Sequence, residues 1–243
     1  MPTLLSPAQT VRQLATDVPN ATRIFEQLGI DYCCGGGKSL SEACAQARLS
    51  VDDVLRSLEQ GSTKATTSEE NADFQRYGLR QLVEHIVDTH HSYVKQEIPR
   101  IQKLLAKVAA VHGKGHAELV QMAQVFAGLG EEMTSHMMKE EMVLFPYISE
   151  LESAIEEQRR KPFAPFGKVS NPVQMMEMEH ESAGGALREL RALSSDYTPP
   201  QEACFSYRTL FSALETFEKD LHQHIHLENN ILFPKAEKLE AGN

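Results

Sequence analysis

At 243 residues, 41% of them apolar and spread along the chain, there is material for one large domain or two smaller ones with a proper core. No run approaches the ~18 apolar residues of a membrane span, and a formal net charge of −10 argues against the basic surface that nucleic-acid binding requires. Met1 to Gln13 lacks the pattern of an export signal, and the adjacent Cys33 and Cys34 suit no ordinary disulfide framework, so a cytoplasmic protein with free thiols is expected.

Residues 1–60 read as a small helical unit. Val11, Leu14, Ala15 and Val18 repeat at helical spacing until Pro19, and a second short helix with Ile24, Phe25 and Leu28 stops at Gly29. A glycine-rich turn follows, Asp31-Tyr32-Cys33-Cys34-Gly35-Gly36-Gly37, expected to leave its backbone exposed. Two more short helices come next, capped by Ser39 or Ser41 and by Ser50. Residues 61–72 are polar, small and aperiodic, which predicts a linker.

Residues 73–243 change to long amphipathic helices, expected over about 74–108, 117–155, 172–193 (with Asn171 as cap) and 202–239. No strand signal interrupts them. The fold class is therefore all-α, an up-down four-helix bundle preceded by the small helical domain.

Two stretches of the bundle match at a constant offset of 88 residues, sharing H-x-x-x-E-x-x-x-L-F-P-x-x-x-x-L-E: one from His136 and Glu140 to Glu152, the other from His224 and Glu228 to Glu240. Such a duplication implies two equivalent helices. A His and a Glu four apart lie on one helix face, and both pairs fall on the apolar stripes, so they point into the bundle. Two buried carboxylates in one core need cations. His180 lies on the stripe of the third helix, and the first helix offers His85, His90 and His91, of which His85 reads as structural. The sum is four imidazoles and two carboxylates around one point, which suits two irons bridged by Glu140 and Glu228; zinc or manganese also satisfies the ligand types. Periodicity leaves the choice between His90 and His91 open. His112, His116, His222 and His226 fall in loops or on outward faces and are expected to be solvated. Cys44 and Cys204 are expected as small buried hydrophobes. Glu132, one turn before His136, and Glu179, beside His180, either line a path to the metals or are solvated surface carboxylates.

The bundle pattern resembles hemerythrin-type domains, and Asp31-Tyr32-Cys33-Cys34-Gly35-Gly36 with Leu40 and Ala43 resembles the small domain of the RIC proteins (repair of iron centres, YtfE/ScdA type). His136-Met137-Met138-Lys139-Glu140-Glu141, Met178-Glu179-His180-Glu181 and Leu227-Glu228-Asn229-Asn230 are similar to that family's bundle motifs. The resemblance places the ligands on His91, His136, Glu140, His180, His224 and Glu228, choosing His91 because it stands six residues after His85 and eight before Pro99. Gly37 departs from the shorter Gly-Gly turn. The resemblance implies two non-haem irons with carboxylate bridges and an oxo or hydroxo bridge. It also implies repair of iron–sulfur clusters damaged by nitrosative or oxidative stress, by supplying iron to damaged or apo iron–sulfur proteins, with nitric oxide or oxygen as small ligands. Cys33 and Cys34 would relay electrons or take iron, with thiolate character raised by a following helix N-terminus. The alternatives are a nitric oxide reductase or peroxide-handling di-iron enzyme, and an oxygen or nitric oxide carrier or sensor. Monomer and homodimer stay equally open.

Overall fold

A computed structural model of the chain describes residues 5–61 and 74–242. The N-terminal unit holds α1 (Val11–Asp17), α2 (Ala21–Leu28), α3 (Leu40–Ala47) and α4 (Val51–Gly61). Capping boxes start α1 (Thr10 with Gln13) and α3 (Ser39 with Glu42), so Ser39 and not Ser41 is the cap. Gly29, at φ +66°, ends α2. Val11, Leu14, Phe25, Leu40, Cys44, Val54 and Leu58 are buried together as this unit's own core. The expected linker lies outside the described residues from 62 onward.

Four long rods follow. The first, α5, runs through Leu79–His85, a π-helical turn at Ile86–His91, and Ser92–His112. The second, α6, joins Glu118–Lys139, a π turn at Glu140–Leu144, and Phe145–Glu156. The third, α7, is Ser170–Leu193, and α8 joins Phe205–Leu227, a π turn at Glu228–Leu232, and Phe233–Ala241. Phe74–Arg76 forms only a short 3₁₀ turn, so the first rod begins at Leu79, with Gly78 as its N-cap, rather than at Phe74.

Side-chain contacts fix the directions. Glu152 near the end of α6 meets Leu79 at the start of α5, Glu132 and His136 of α6 meet Ser182 and Glu179 of α7, and Lys107 near the end of α5 meets Ser206 at the start of α8. Each packed pair is therefore antiparallel, as an up-down bundle requires. Phe126, Met122, Leu187, Leu214 and Phe217 fill one end of the core, and Leu82, Ile86, Leu151, Leu232 and Phe233 fill the other.

The last residue of the duplicated motif has a structural task. The Glu152 carboxylate accepts the backbone N–H groups of Leu79 and Arg80 at 2.6 and 3.0 Å, capping α5. Glu240 does the same for α7, taking the Val169 N–H at 3.1 Å and the Tyr147 hydroxyl at 2.7 Å. Asn171 is therefore not the cap; α7 begins at Ser170, and the Asn171 amide donates to the Phe166 carbonyl. Each repeated helix thus caps the helix beside it, which carries negative charge to a positive helix end. Glu152→Ala is expected to cost about 1–2 kcal/mol and lower the melting temperature by about 2–8 °C. An unchanged thermal unfolding curve would mean that water caps α5 equally well.

Candidate metal centre

All three π turns lie at the site. In each, the residue following the turn donates its N–H five residues back: Ser92 to Val87, Phe145 to Glu140 and Phe233 to Glu228. Two are explained by the Leu-Phe-Pro of the repeat. Pro146 and Pro234 have no N–H for the carbonyls of Met142 and Asn230, so the α-type bond that would compete with the wider turn is absent. The widened turns open with Glu140 and Glu228, one helical turn after His136 and His224. The third ends with His91, and its extra residue explains why a regular helical wheel does not separate His90 from His91. In the structure His91 enters the cluster, whereas His90 bonds to Asp220 at 3.0 Å and stacks on His224.

The six residues assigned by resemblance converge as two groups. His91, Glu140, His224 and Glu228 form one, His136, Glu140, His180 and Glu228 the other, and both carboxylates belong to both. All six are at most 1% exposed. His136 Nε2 and His91 Nε2 lie 3.3 and 3.4 Å from Glu140 Oε2, while His224 and His180 approach the two Glu228 oxygens at 3.0 Å each.

Outside the cluster, His91 Nδ1 donates to Glu141 at 2.7 Å and His136 Nδ1 to Glu179 at 2.8 Å; Glu179 also pairs with Lys139. With protons on Nδ1, the Nε2 lone pairs point inward. Two pairs of Nε2 atoms then face each other, His91 with His224 at 3.1 Å and His136 with His180 at 3.0 Å. Both oxygens of Glu140, Glu228 Oε2 and His224 Nδ1 are buried without an aligned hydrogen-bond partner. Burial alone would discharge His91, but the nearby carboxylates of Glu140 and Glu228 push it up to about 10. Burial likewise pushes Glu228 upward, yet His224, His180 and His91 hold it well below the usual carboxylate range. Lone pairs and anions facing one small space are the donor set of a buried metal site, with carboxylate-oriented histidines as its supports.

Other expected residues fall differently. Glu179 reaches the centre as a partner of His136, whereas Glu132 stands exposed at the surface and accepts from Ser182. His85 packs half-buried against Phe74 and His90. His226 is not solvated: the N-terminal unit covers it, its ring lying 5.4 Å from Tyr32. His222 pairs with Glu26 of that unit at 2.9 Å. Cys44 is buried, but Cys204 is exposed, because it caps the start of α8 beside His112.

The cysteine turn is packed rather than open. Gly35 and Gly36 are buried, and a Cβ on Gly36 would come within 2.8 Å of Asn230 Oδ1. Asp31 Oδ1 gathers the N–H groups of Cys34 and Gly35 at 3.0 Å each and lies 3.5 Å from Cys33 Sγ; the two sulfurs are 3.8 Å apart. The turn is held by Asn229, which donates to the Cys33 carbonyl at 3.3 Å, and by Asn230, which donates to the Tyr32 carbonyl at 2.9 Å and accepts from Arg12 at 2.7 Å. Sequence reasoning gave these asparagines no role, although the repeat marks them: Glu141-Met142 in one half becomes Asn229-Asn230 in the other.

The expected rise in thiolate character does not hold for Cys33. The Cys34 sulfur, burial and the Asp31 carboxylate push its thiol well above the usual range. A thiol titrating above 9 is under about 1% thiolate at pH 7. Alkylation of Cys33 by iodoacetamide should therefore lag far behind that of exposed Cys204 at pH 7 and rise until the pH passes 9, as peptide mass mapping would show. Equal rates at pH 7 would contradict the packing.

Residues 82–236 match the family described as "Hemerythrin HHE cation binding domain", and residues 7–61 match ScdA_N, "Domain of Unknown function (DUF542)". The chain is 32% identical over 233 residues to a "Probable iron-sulfur cluster repair protein" of Haemophilus influenzae, covering 94% of this chain and 96% of that one. It is 33% and 34% identical over 228 residues to proteins named "Iron-sulfur cluster repair protein YtfE" from Dickeya chrysanthemi and Yersinia pseudotuberculosis, with the same coverage. The chain belongs to the YtfE-type hemerythrin-like family. The region matching the hemerythrin family contains all six clustered residues, and the region matching ScdA_N contains the cysteine turn. Among the described residues, no helix is long and apolar enough to cross a membrane.

Proposed function

We propose that the cluster holds two non-haem irons sharing Glu140 and Glu228, and that the chain repairs damaged iron–sulfur clusters by donating that iron. The observation that carries this is the membership of both carboxylates in both four-residue groups. Each metal position is then served by two imidazoles and two shared carboxylates. This nitrogen and oxygen set without thiolates suits iron and holds it less firmly than sulfur would. Several similar proteins bear iron–sulfur cluster repair in their names. Residues 73–243 form the store in this reading and residues 1–60 the outlet. Bound iron supplies the missing metal of an apo or damaged cluster. The protein's residues do the rest: Glu141 and Glu179 keep the Nδ1 protons of His91 and His136, and the Nε2 atoms stay free for metal.

Asp31, Cys33 and Cys34 place three ligand atoms within 4.8 Å of one another. They sit one residue's reach from His180, because Asn229 touches both that ring and the Cys33 carbonyl. Iron leaving the bundle would be received there. Protein loaded with isotopically labelled Fe(II), reduced and mixed with an apo [4Fe–4S] protein, is expected to pass label to the acceptor. The transfer is expected to fall at least about tenfold in Cys33→Ala/Cys34→Ala, the scale of losing strong ligand contacts. Full retention of label by the reduced wild type would overturn iron donation. Sustained consumption of nitric oxide with an electron donor, at unchanged iron content, would make the protein an enzyme instead.

A further inference from the structure

Asn229 is 5% exposed and uses both ends of its side-chain amide. One end lies 2.8 Å from His180 Nδ1, the other 3.3 Å from the carbonyl oxygen of Cys33. A backbone carbonyl only accepts, so the end facing Cys33 is the NH2 group. The amide oxygen then faces His180, and that ring must carry its proton on Nδ1. Its Nε2 is left with a lone pair, 3.0 Å from both Glu228 Oε2 and His136 Nε2. A main-chain oxygen of the N-terminal unit thus fixes the tautomer of a histidine inside the bundle.

His180 is unlike the other three histidines in this respect. His91 and His136 are oriented by Glu141 and Glu179, which belong to the bundle, and His224 Nδ1 is buried without a partner. Asn229 also follows Glu228 directly in the same π turn, and Asn230 grips the Tyr32 carbonyl at the next position. The shared carboxylate and both grips on the cysteine turn therefore move with one short backbone segment.

We propose that Asn229 is a positioning residue that couples metal occupancy of the bundle to the seating of the Cys33–Cys34 turn. The coupling rests on the reading of the cluster as an iron site. Metal at His180 Nε2 keeps the Nδ1 proton aimed at Asn229, and so keeps the amide NH2 on the Cys33 carbonyl. When the metal leaves, the ring is free to move its proton to Nε2. Nδ1 then presents a lone pair, the amide turns to offer NH2 to it, and the amide oxygen is set against the Cys33 carbonyl. Two acceptors repel, and the turn lifts. Departure of iron thereby uncovers the thiols in the same event.

Cys34 reports the seating, since it is half-buried with its sulfur beside Gly184. The test measures its alkylation by iodoacetamide in the full chain, iron-loaded and chelated, at one pH, with modified peptides mapped by mass. Iron is expected to slow Cys34 alkylation about fivefold, the scale of one buried hydrogen bond. Asn229→Asp keeps an oxygen for His180 but sets another against Cys33. Gly36→Ala disturbs the turn at Asn230 instead, whose Oδ1 a Cβ would meet at 2.8 Å, and leaves the Asn229–His180 contact in place. In both variants the iron-dependent difference is expected to shrink to within about twofold, with Cys204 alkylation unchanged. Wild-type protein that binds iron yet shows no difference overturns the coupling and leaves the iron site standing, whereas protein that binds no iron overturns the site itself. A difference retained in Asn229→Asp overturns the role of Asn229. If that variant loses iron, Gly36→Ala decides: with Cys34 alkylation raised above wild type in the chelated protein, which shows the turn unseated, a retained difference overturns the coupling.

Discussion

Glu228→Ala is expected to abolish both proposed metal positions, lowering bound iron to near zero, whereas His91→Ala is expected to leave part of it. The distinction follows from the sharing of ligands. His91 belongs to only one of the two groups, as does His180, but Glu228 and Glu140 belong to both. Removing a shared carboxylate takes a ligand and a negative charge from each position at once. Two cations sharing ligands in a water-poor core would repel strongly, so Glu140 and Glu228 would be needed to hold the pair. The lost charge is not replaced locally, because Glu141 and Glu179 are committed to histidine Nδ1 atoms on the outer side. Without metal the same substitution also removes the carboxylate partner of His224 and His180, so the metal-free protein is expected to lose stability as well. Metal analysis of the two variants beside their melting temperatures separates binding from folding. One iron retained in Glu228→Ala would show that this carboxylate serves a single position, and the shared-ligand account would fail.

The duplicated motif made most of this centre readable in the sequence. A His and a Glu four apart, repeated on two helices and set in apolar stripes, have few bland explanations, and the fold class follows from four long amphipathic stretches. The choice of His91 over His90 was not readable from periodicity, because a regular helix advances the same angle at every residue and the chain here does not. The π turn at Ile86–His91 adds a residue immediately before the rod resumes its usual pitch. Leu-Phe-Pro, twice repeated, was the visible trace of the other two turns, and reading its prolines as missing donors would have exposed them. The seating of the N-terminal unit was hidden for a different reason. His226, Asn229 and Asn230 look polar and outward on a lone bundle, and their burial depends on a second surface that no local pattern announces. Cys33 misled in the same way: a glycine-rich turn reads as open until the bundle closes over it.

Removing the metal is expected to lower the melting temperature by about 10 °C. Binding to the folded chain alone stabilises it by about 4 kcal/mol when free iron stands a thousandfold above its dissociation constant, and a domain of this size shifts by about 2–4 °C per kcal/mol. The structure says where that stability resides. Glu140 and Glu228 open two π turns and His91 closes the third, so metal binding ties together three places where the regular helical hydrogen-bond ladder is already interrupted. Without the cation, the two carboxylates and the histidines lose their common tie across these turns. Amide exchange in the chelated protein should therefore accelerate most at residues 86–91, 140–144 and 228–232. The core around Phe25 and Leu58, which contains none of the six residues, should change least. Uniform acceleration along all four rods would mean that the metal stabilises the bundle globally rather than through the turns. An unchanged melting temperature would mean that the buried donors are satisfied without any cation, by protons shared among His91, His136 and the two carboxylates.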